Sequence, residues 1–159
     1  MALLRKGLCF MIQITFISDP REDQLHDIME LYRAEGWFSE GDTPALYRGM
    51  IRGSHCFAVA LDGAKIIGMA RAISDRANDA YVQDVTVLST YRRRGIARML
   101  VDGITARLRA DGISWIGLVS ANNTTPLYKK CGFKVMDNTC EPMLFEDRNQ
   151  DEIHTDKSR

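Results

Sequence analysis

The stretch between positions 80 and 119 constrains this chain more than any other. Residues 80–87 are apolar and β-branched enough for a strand. Residues 95–109 then carry Ile96, Leu100, Ile104 and Leu108 at four-residue spacing with Met99 beside them, the pattern of a buried helix face. Asp111-Gly112 stops that helix, and residues 114–119 read as another strand. Strand, helix, strand over so short a span is a βαβ unit, so its two strands lie parallel and its crossover is right-handed.

The rest of the chain reads as hairpins and short helices around that unit. In residues 12–17, Gln13 and Thr15 alternate with Ile12, Ile14 and Phe16 as in a half-buried strand. Asp19-Pro20-Arg21-Glu22 is a helix start, with Asp19 as the expected cap, and Leu25, Ile28, Met29 and Tyr32 continue on one face until Gly36. Trp37 and Phe38 fall in a loop, and Thr43-Pro44 opens a second helix with Leu46, Tyr47, Met50 and Ile51 on one face before Gly53. Residues 55–60 and 65–73 are strand-like and joined through Leu61-Asp62-Gly63-Ala64, an antiparallel hairpin. A polar turn at 74–79 leads into the strand at 80–87, and a short helix at 125–131 stops before Gly132, with strand candidates at 133–135 and 143–145. The expected fold is α/β (α+β): a mixed, mostly antiparallel sheet with one central parallel pair and flanking helices.

Composition narrows the function classes. With 159 residues, 45% of them hydrophobic, the chain fits one domain that packs its own core. Lys+Arg and Asp+Glu are equal at 21 each, which disfavours a protein that coats nucleic acid or an anionic membrane. No apolar run approaches the ~18 residues of a membrane span. Arg5 and Lys6 precede an apolar stretch at 8–17, but that stretch lacks a cleavage site and alternates like a strand. The reading divides the chain into an extension at 1–11, with Met11 an alternative start to Met1, a domain at 12–146 and a polar tail at 147–159. Cys9, Cys56, Cys131 and Cys140 form no C-x-x-C pair and lack His at zinc spacing, so reduced thiols in a cytoplasm and no metal are expected.

The chemistry concentrates in Tyr91-Arg92-Arg93-Arg94-Gly95-Ile96-Ala97-Arg98, between strand and crossover helix. A helix N-terminus presents unsatisfied N–H groups and the positive end of the dipole, and Gly95 lets backbone come close to a guest, so a phosphate or pyrophosphate fits. The alternative is a solvated arginine run; cations there oppose the dipole, which favours an anion among them. Neither the Gly-Lys-Ser/Thr of a P-loop nor a G-x-G-x-x-G is present.

Arg92-Arg93-Arg94-Gly95-Ile96-Ala97 fits the pattern Arg/Gln-x-x-Gly-x-Gly/Ala, and Asn122 with Leu127-Tyr128-Lys129-Lys130-Cys131-Gly132-Phe133 provides a second, separate match. With these two segments in this order, the chain resembles the GNAT family of acyl-CoA-dependent N-acetyltransferases from Ile12 to about Phe145. The resemblance implies acetyl-CoA as acyl donor in the opening between the parallel strands. Its pyrophosphate would rest on amides of Arg93, Arg94, Gly95, Ile96, Ala97 and Arg98, in the loop that Arg92 opens, with Asn122 nearby. It further implies a bulged strand whose Val85 and Val87 backbone holds the pantetheine arm, and Tyr128 as general acid for the departing sulfur. Cys131, three residues on, is expected to be an inert buried thiol.

The candidate base is Asp84, although period-two alternation sets it with Val82 and Thr86, opposite Tyr81 and Gln83, unless the bulge rotates it. Tyr81 and Gln83 are the alternative, ordering a water relay on the face where the resemblance places the base, and the resemblance implies Trp37 and Phe38, in the loop after the first helix, as acceptor-pocket residues. The segment 68–75, with Asp84-Val85 downstream, also resembles the plant and cyanobacterial branch that acetylates serotonin-like arylalkylamines, which implies a small aromatic amine as acceptor. Two departures are Ser89, where the family often has proline, and Gly117, which weakens the second parallel strand. Analogy with the family suggests a homodimer. The competing readings are a CoA-binding module without turnover, a lysine or N-terminal amine of a protein as acceptor, and a nucleic-acid contact through the arginines, which the neutral charge disfavours.

Overall fold

The chain runs β1 (Gln13–Phe16), α1 (Glu22–Ala34), α2 (Pro44–Gly53), β2 (Cys56–Asp62), β3 (Lys65–Ser74), β4 (Asp79–Val87), a 3-10 turn at Ser89–Tyr91, α3 (Ile96–Ala110), β5 (Trp115–Gly117) and α4 (Thr125–Lys130). The computed structural model describes residues 11–121, 123–137 and 140–144. The strands form one sheet in the order β1-β2-β3-β4-β5. All neighbours are antiparallel except β4 and β5, which are parallel as the βαβ pattern requires.

Alternation along β2 separates two cores. Phe57 and Val59 face α1 and α2, joining Leu25, Ile28, Leu31, Tyr47 and Ile51. Ala58 and Ala60 face α3, with Ala70, Ala72 and Ala80 from the neighbouring strands beneath Ile96, Leu100, Ile104 and Leu108. The carpet of alanines lets α3 settle close to the sheet, and the buried leucines and isoleucines of the helix supply most of that core's apolar area. Because both faces are covered, β2 is buried from Cys56 to Ala60.

Several ends differ from the sequence reading. Asp19 does not cap α1; it pairs with Arg52 of α2 (2.8 Å), and Arg21 is the capping residue, its N–H donating to Gln24 Oε1 (3.1 Å). Thr43 caps α2 as expected, accepting from the Leu46 N–H (3.2 Å). In the β2-β3 hairpin Asp62 pairs with Lys65, so Gly63-Ala64 form the turn, with Gly63 at φ 61°. β5 is shorter than expected, three residues, and no strand forms at 133–137 or 140–144; position 145 lies outside the described residues. The parallel pair therefore stands at the edge of the described sheet rather than at its centre. A three-residue β5 offers too few ladder groups to template a further strand. Beyond α4 the Phe133 N–H instead turns back to the Tyr128 carbonyl (3.0 Å), and Val135, Met143 and Leu144 are largely exposed.

Candidate active site

Two features of β4 create the site. The first is that pairing with β5 covers only Asp79, Ala80 and Tyr81; beyond Tyr81, opposite Gly117, the strands separate. The second is a bulge. Met69 faces Thr86 and Arg71 faces Gln83, so Asp84 and Val85 together oppose a single residue of β3. Asp84 takes φ 53°, a left-handed conformation that aspartate tolerates better than most residues. The extra residue resets the alternation: Tyr81, Gln83, Asp84 and Thr86 face the α1 side, while Val82, Val85 and Val87 pack toward α3. Simple period two had separated Asp84 from Gln83, and the bulge brings them together.

On that face Asp84 Oδ2 accepts from the Tyr32 hydroxyl (2.7 Å) and from Arg71 Nε, and a second nitrogen of Arg71 donates to Gln83 Oε1 (3.0 Å). Burial, reinforced by the Asp84 charge, raises the Tyr32 hydroxyl far above the usual tyrosine range, so it stays a donor. One helical turn on, Glu35 accepts from the Thr86 hydroxyl (2.6 Å) and pairs with Arg92. Helix α1 thus grips the bulge on both sides of Val85. Tyr32, Glu35, Arg71 and Thr86 were not expected at the site. Tyr32 reads in sequence as one more apolar-face residue, and only the need of a buried hydroxyl for a partner hints at more.

Past Val87 the chain turns into the arginine loop. The Leu88 N–H donates to Ile67 of β3 (2.9 Å), so alternation aims the N–H and carbonyl of Val87 into the opening. Arg92 Nε donates to that carbonyl (2.9 Å), leaving the Val87 N–H to a guest. The Arg92 side chain is therefore tied to Val87 and Glu35. Arg94 lies over the Tyr91 ring and donates to the Thr90 carbonyl, and Tyr91 is held by Asp62 (2.8 Å). Arg93 (φ 63°) and Gly95 (φ 81°) are both left-handed, which swings the loop into the start of α3. The first intrahelical bond runs from the Met99 N–H to the Gly95 carbonyl (3.1 Å), so the amides of Ile96, Ala97 and Arg98 belong to the first, unsatisfied turn. A Cβ on Gly95 would meet nothing within 4 Å: the space before these amides is open.

These parts line one cleft of about 570 Å³. It brings together Asp84, Gln83, Val85 and Val87 from β4 with Arg92, Arg93, Gly95, Ile96, Ala97 and Arg98 from the loop and helix, and Trp37 and Tyr128 complete the wall. Arg94 does not line it, and Phe38 lies elsewhere, stacked on Tyr47 (6.3 Å) beneath Arg33. Tyr81 lines an adjoining hollow of about 530 Å³ that shares Tyr128. Asn122 falls outside the described residues. A third concavity, of about 660 Å³ between α3 and the segment after α4, contains no helix N-terminus.

Tyr128 sits on α4 with its ring edge-on to Phe133 (6.1 Å). Burial raises its hydroxyl above the usual tyrosine range, and a hydrogen bond with Thr124 partly offsets this. Three residues on, Cys131 is half-buried rather than buried as expected; partial burial and then the Asp102 carboxylate raise its thiol, which disfavours the nucleophilic thiolate. Among the described residues no group of three or more His, Cys, Asp or Glu side chains is placed to hold a metal, and no helix is long and apolar enough to cross a membrane.

Residues 22–133, which hold the bulge, the loop and α4, match the Acetyltransferase (GNAT) family. The chain belongs to that family. Residues 22–133 therefore form an acetyltransferase-family domain. The GNAT fold extends to solved structures: a probable acetyltransferase from Staphylococcus aureus superposes with TM-score 0.72 at 19% identity, over 86% of this chain and all of that one. A GNAT family protein from Streptococcus pneumoniae gives TM-score 0.68 at 25% identity over 87% and 99%. AAC(6')-Iy, solved with the bisubstrate analogue CoA-S-monomethyl-acetylneamine, gives 0.67 at 18% over 87% and 99%. Among curated proteins, the chloroplastic GCN5-related N-acetyltransferase 2 of Arabidopsis thaliana is 36% identical over 44% of this chain and 27% of its own length. An uncharacterized N-acetyltransferase of the red alga Pyropia yezoensis is 31% identical over 44% of this chain and 40% of its own length. These matches span well under two thirds of those relatives.

Proposed function

We propose that this GNAT enzyme transfers acetyl from acetyl-CoA to a primary amine, by direct attack within a ternary complex, and that the acceptor is a small aromatic amine. The observation that carries the reading is the separation of β4 from β5 beyond Tyr81, with the amides of α3 at its far end and Tyr128 on its wall.

The open amides of Gly95, Ile96, Ala97 and Arg98 suit a pyrophosphate, with Arg93 and Arg98 adding charge. Val85 and Val87 offer backbone groups to the pantetheine arm, and the N–H of Val87 is the donor for the thioester oxygen. A preorganised donor there stabilises the developing oxyanion, an effect worth roughly 2.7–4 kcal/mol in comparable sites. The amine nitrogen attacks the carbonyl carbon, the carbon–sulfur bond breaks, and Tyr128, protonated throughout the neutral range, donates a hydrogen bond or its proton to the sulfur. Because a phenol is the weaker acid by ~1.5 pK units, full proton transfer to thiolate is uphill by roughly 2 kcal/mol, and hydrogen bonding alone stabilises the leaving group.

The acceptor must lose its own proton. For an alkylammonium this costs about 4–5 kcal/mol at neutral pH, so the site needs a proton acceptor. Asp84 faces the right side, but Tyr32 and Arg71 both hold one of its oxygens. This arrangement favours passing the proton through water ordered by Gln83 and Tyr81, with Asp84 fixing the geometry. The reading places the enzyme in a reducing cytoplasm and, by analogy, in a homodimer. Calorimetry with acetyl-CoA, followed by thiol release across an amine panel, tests it: tight donor binding with turnover supports it, and binding with no turnover on any amine or peptide reduces it to a CoA-binding module.

A further inference from the structure

Two exposed aromatic rings meet where the parallel strands part. Along β5, Trp115 and Gly117 share a face, and Tyr81 of β4 is the register partner of Gly117. The Trp115 indole does not stand up from the sheet. It folds along its own strand over Gly117, where a Cβ would meet it at 2.3 Å, and reaches Tyr81 with ring centroids 5.0 Å apart and planes inclined by 59°. Gly117 therefore does more than weaken a strand: its missing side chain is the space the indole occupies.

The pair has no need to be exposed for the fold's sake. Tyr81 and Trp115 keep 46% and 38% of their surface accessible, on the face opposite α3 and beside the 530 Å³ hollow. Tyr128 walls both that hollow and the donor cleft, so the rings lie next to the place where acetyl transfer is proposed. Polar neighbours Gln83 and Asp84 follow Tyr81 on the same face, on the side of the donor cleft.

We propose that Trp115 and Tyr81 form the acceptor subsite, taking the ring of an arylalkylamine whose amino group reaches past Tyr128 toward the thioester. The proposal rests on the acetyltransfer reading for its reaction and adds the residues that select the acceptor. Tilted and edge-on ring packing against an aryl group is preferred over an alkyl chain of similar size. A short linker suits the subsite, because the rings sit where the opening begins rather than outside it.

Two measurements test it. The first compares kcat/KM for 2-phenylethylamine and n-pentylamine in the wild type, Trp115→Phe, Trp115→Ala and Gly117→Ala. The expected wild-type preference for the aryl amine falls roughly 10-fold in Trp115→Ala, is largely kept by Trp115→Phe, and falls partway in Gly117→Ala as the indole is displaced. Acetyl-CoA affinity stays at its wild-type value in all three, which excludes general misfolding. The second, calorimetry of 2-phenylethylamine on the CoA-saturated protein, works without turnover: the wild type binds and Trp115→Ala does not. An inactive protein that still binds the aryl amine through Trp115 would remove the acetyltransfer reading and keep the subsite. An active enzyme whose aryl preference and aryl binding are the same with and without the indole, or a wild type that binds no aryl amine, would overturn the subsite and leave acetyl transfer standing.

Discussion

The two walls of the proposed active site are built from different material. The proposed donor wall, from Val85 through Arg98, would work through main chain: bulge, left-handed loop and helix N-terminus present amides, and the side chains of Arg92 and Arg94 are tied back into the protein. The proposed acceptor wall would work through side chains gathered from α1, β3, β4, β5 and α4, among them pairs distant in sequence such as Tyr32 with Asp84 and Tyr81 with Trp115. A main-chain site tolerates many side chains but few changes of backbone, whereas a side-chain site is redrawn by single substitutions. The contrast can be broken by mutation, beginning where the main chain leaves least room.

Gly95→Trp should have the largest effect. The glycine has φ 81° and opens onto the cleft, so the indole meets guest rather than protein. Acetyl-CoA affinity measured by calorimetry should fall on the order of 100-fold or more, equivalent to ~2.7 kcal/mol. The left-handed backbone strains any side chain there, so the melting temperature falls too, and Gly95→Ala, which carries that strain without the bulk, should lose much less affinity. Unchanged affinity would mean that the donor sits elsewhere.

Next is Tyr128→Phe, expected to lower kcat roughly 10- to 100-fold with acetyl-CoA affinity retained. The sign of its pH dependence follows from the raised hydroxyl: the donor form persists to above the usual tyrosine value of ~10, so the wild-type rate climbs as the amine loses its proton, with no falling limb from Tyr128 below that. Equal kcat in the variant would assign the ring to packing against Phe133.

This division also explains what could be read from sequence. The βαβ unit, both helices of the first half and the anion loop follow from periodicity and from Gly95, because local main-chain needs leave local signals. The bulge does not: one extra residue in β4 is invisible to alternation, and Asp84 changed faces because of it. Nor do Glu35 and Arg71 announce themselves, since their partners are 51 and 13 positions away. The strands expected beyond α4 fail for a related reason, a ladder needs a partner edge and β5 supplies three residues.

A smaller effect should come from Gly68, which brings β3 against β4 and α3. A Cβ there would lie 3.0 Å from the Thr86 carbonyl oxygen and 3.3 Å from a Leu100 methyl. Gly68→Ala should destabilise by about 1–3 kcal/mol in denaturant melts, as overpacking usually does. If donor affinity weakens alongside, β4 has been pushed as a unit and the donor wall depends on its packing as well as its own backbone. Tyr32→Phe, removing one donor from Asp84 while keeping the ring against Trp37 and Tyr47, should cost roughly 1–2 kcal/mol and act on kcat more than on acetyl-CoA affinity.

Asp111, at the far end of α3, marks the other limit. Hydrogen bonds from His55 and then Arg107 hold its carboxyl below the ordinary aspartate value. A lowered folded value means that the carboxylate form is stabilised by folding. The contribution is complete above the unfolded value near ~3.9 and is lost as pH falls through the lowered folded value. Asp111→Asn should therefore reduce the melting temperature slightly at neutral pH and flatten its decline below pH ~4, with acetyl-CoA affinity unchanged. Since the same helix is proposed to present its first-turn amides to the donor, loss of affinity in this variant would show that disturbance at one end of α3 reaches the other, and the donor wall could no longer be treated as a local main-chain device.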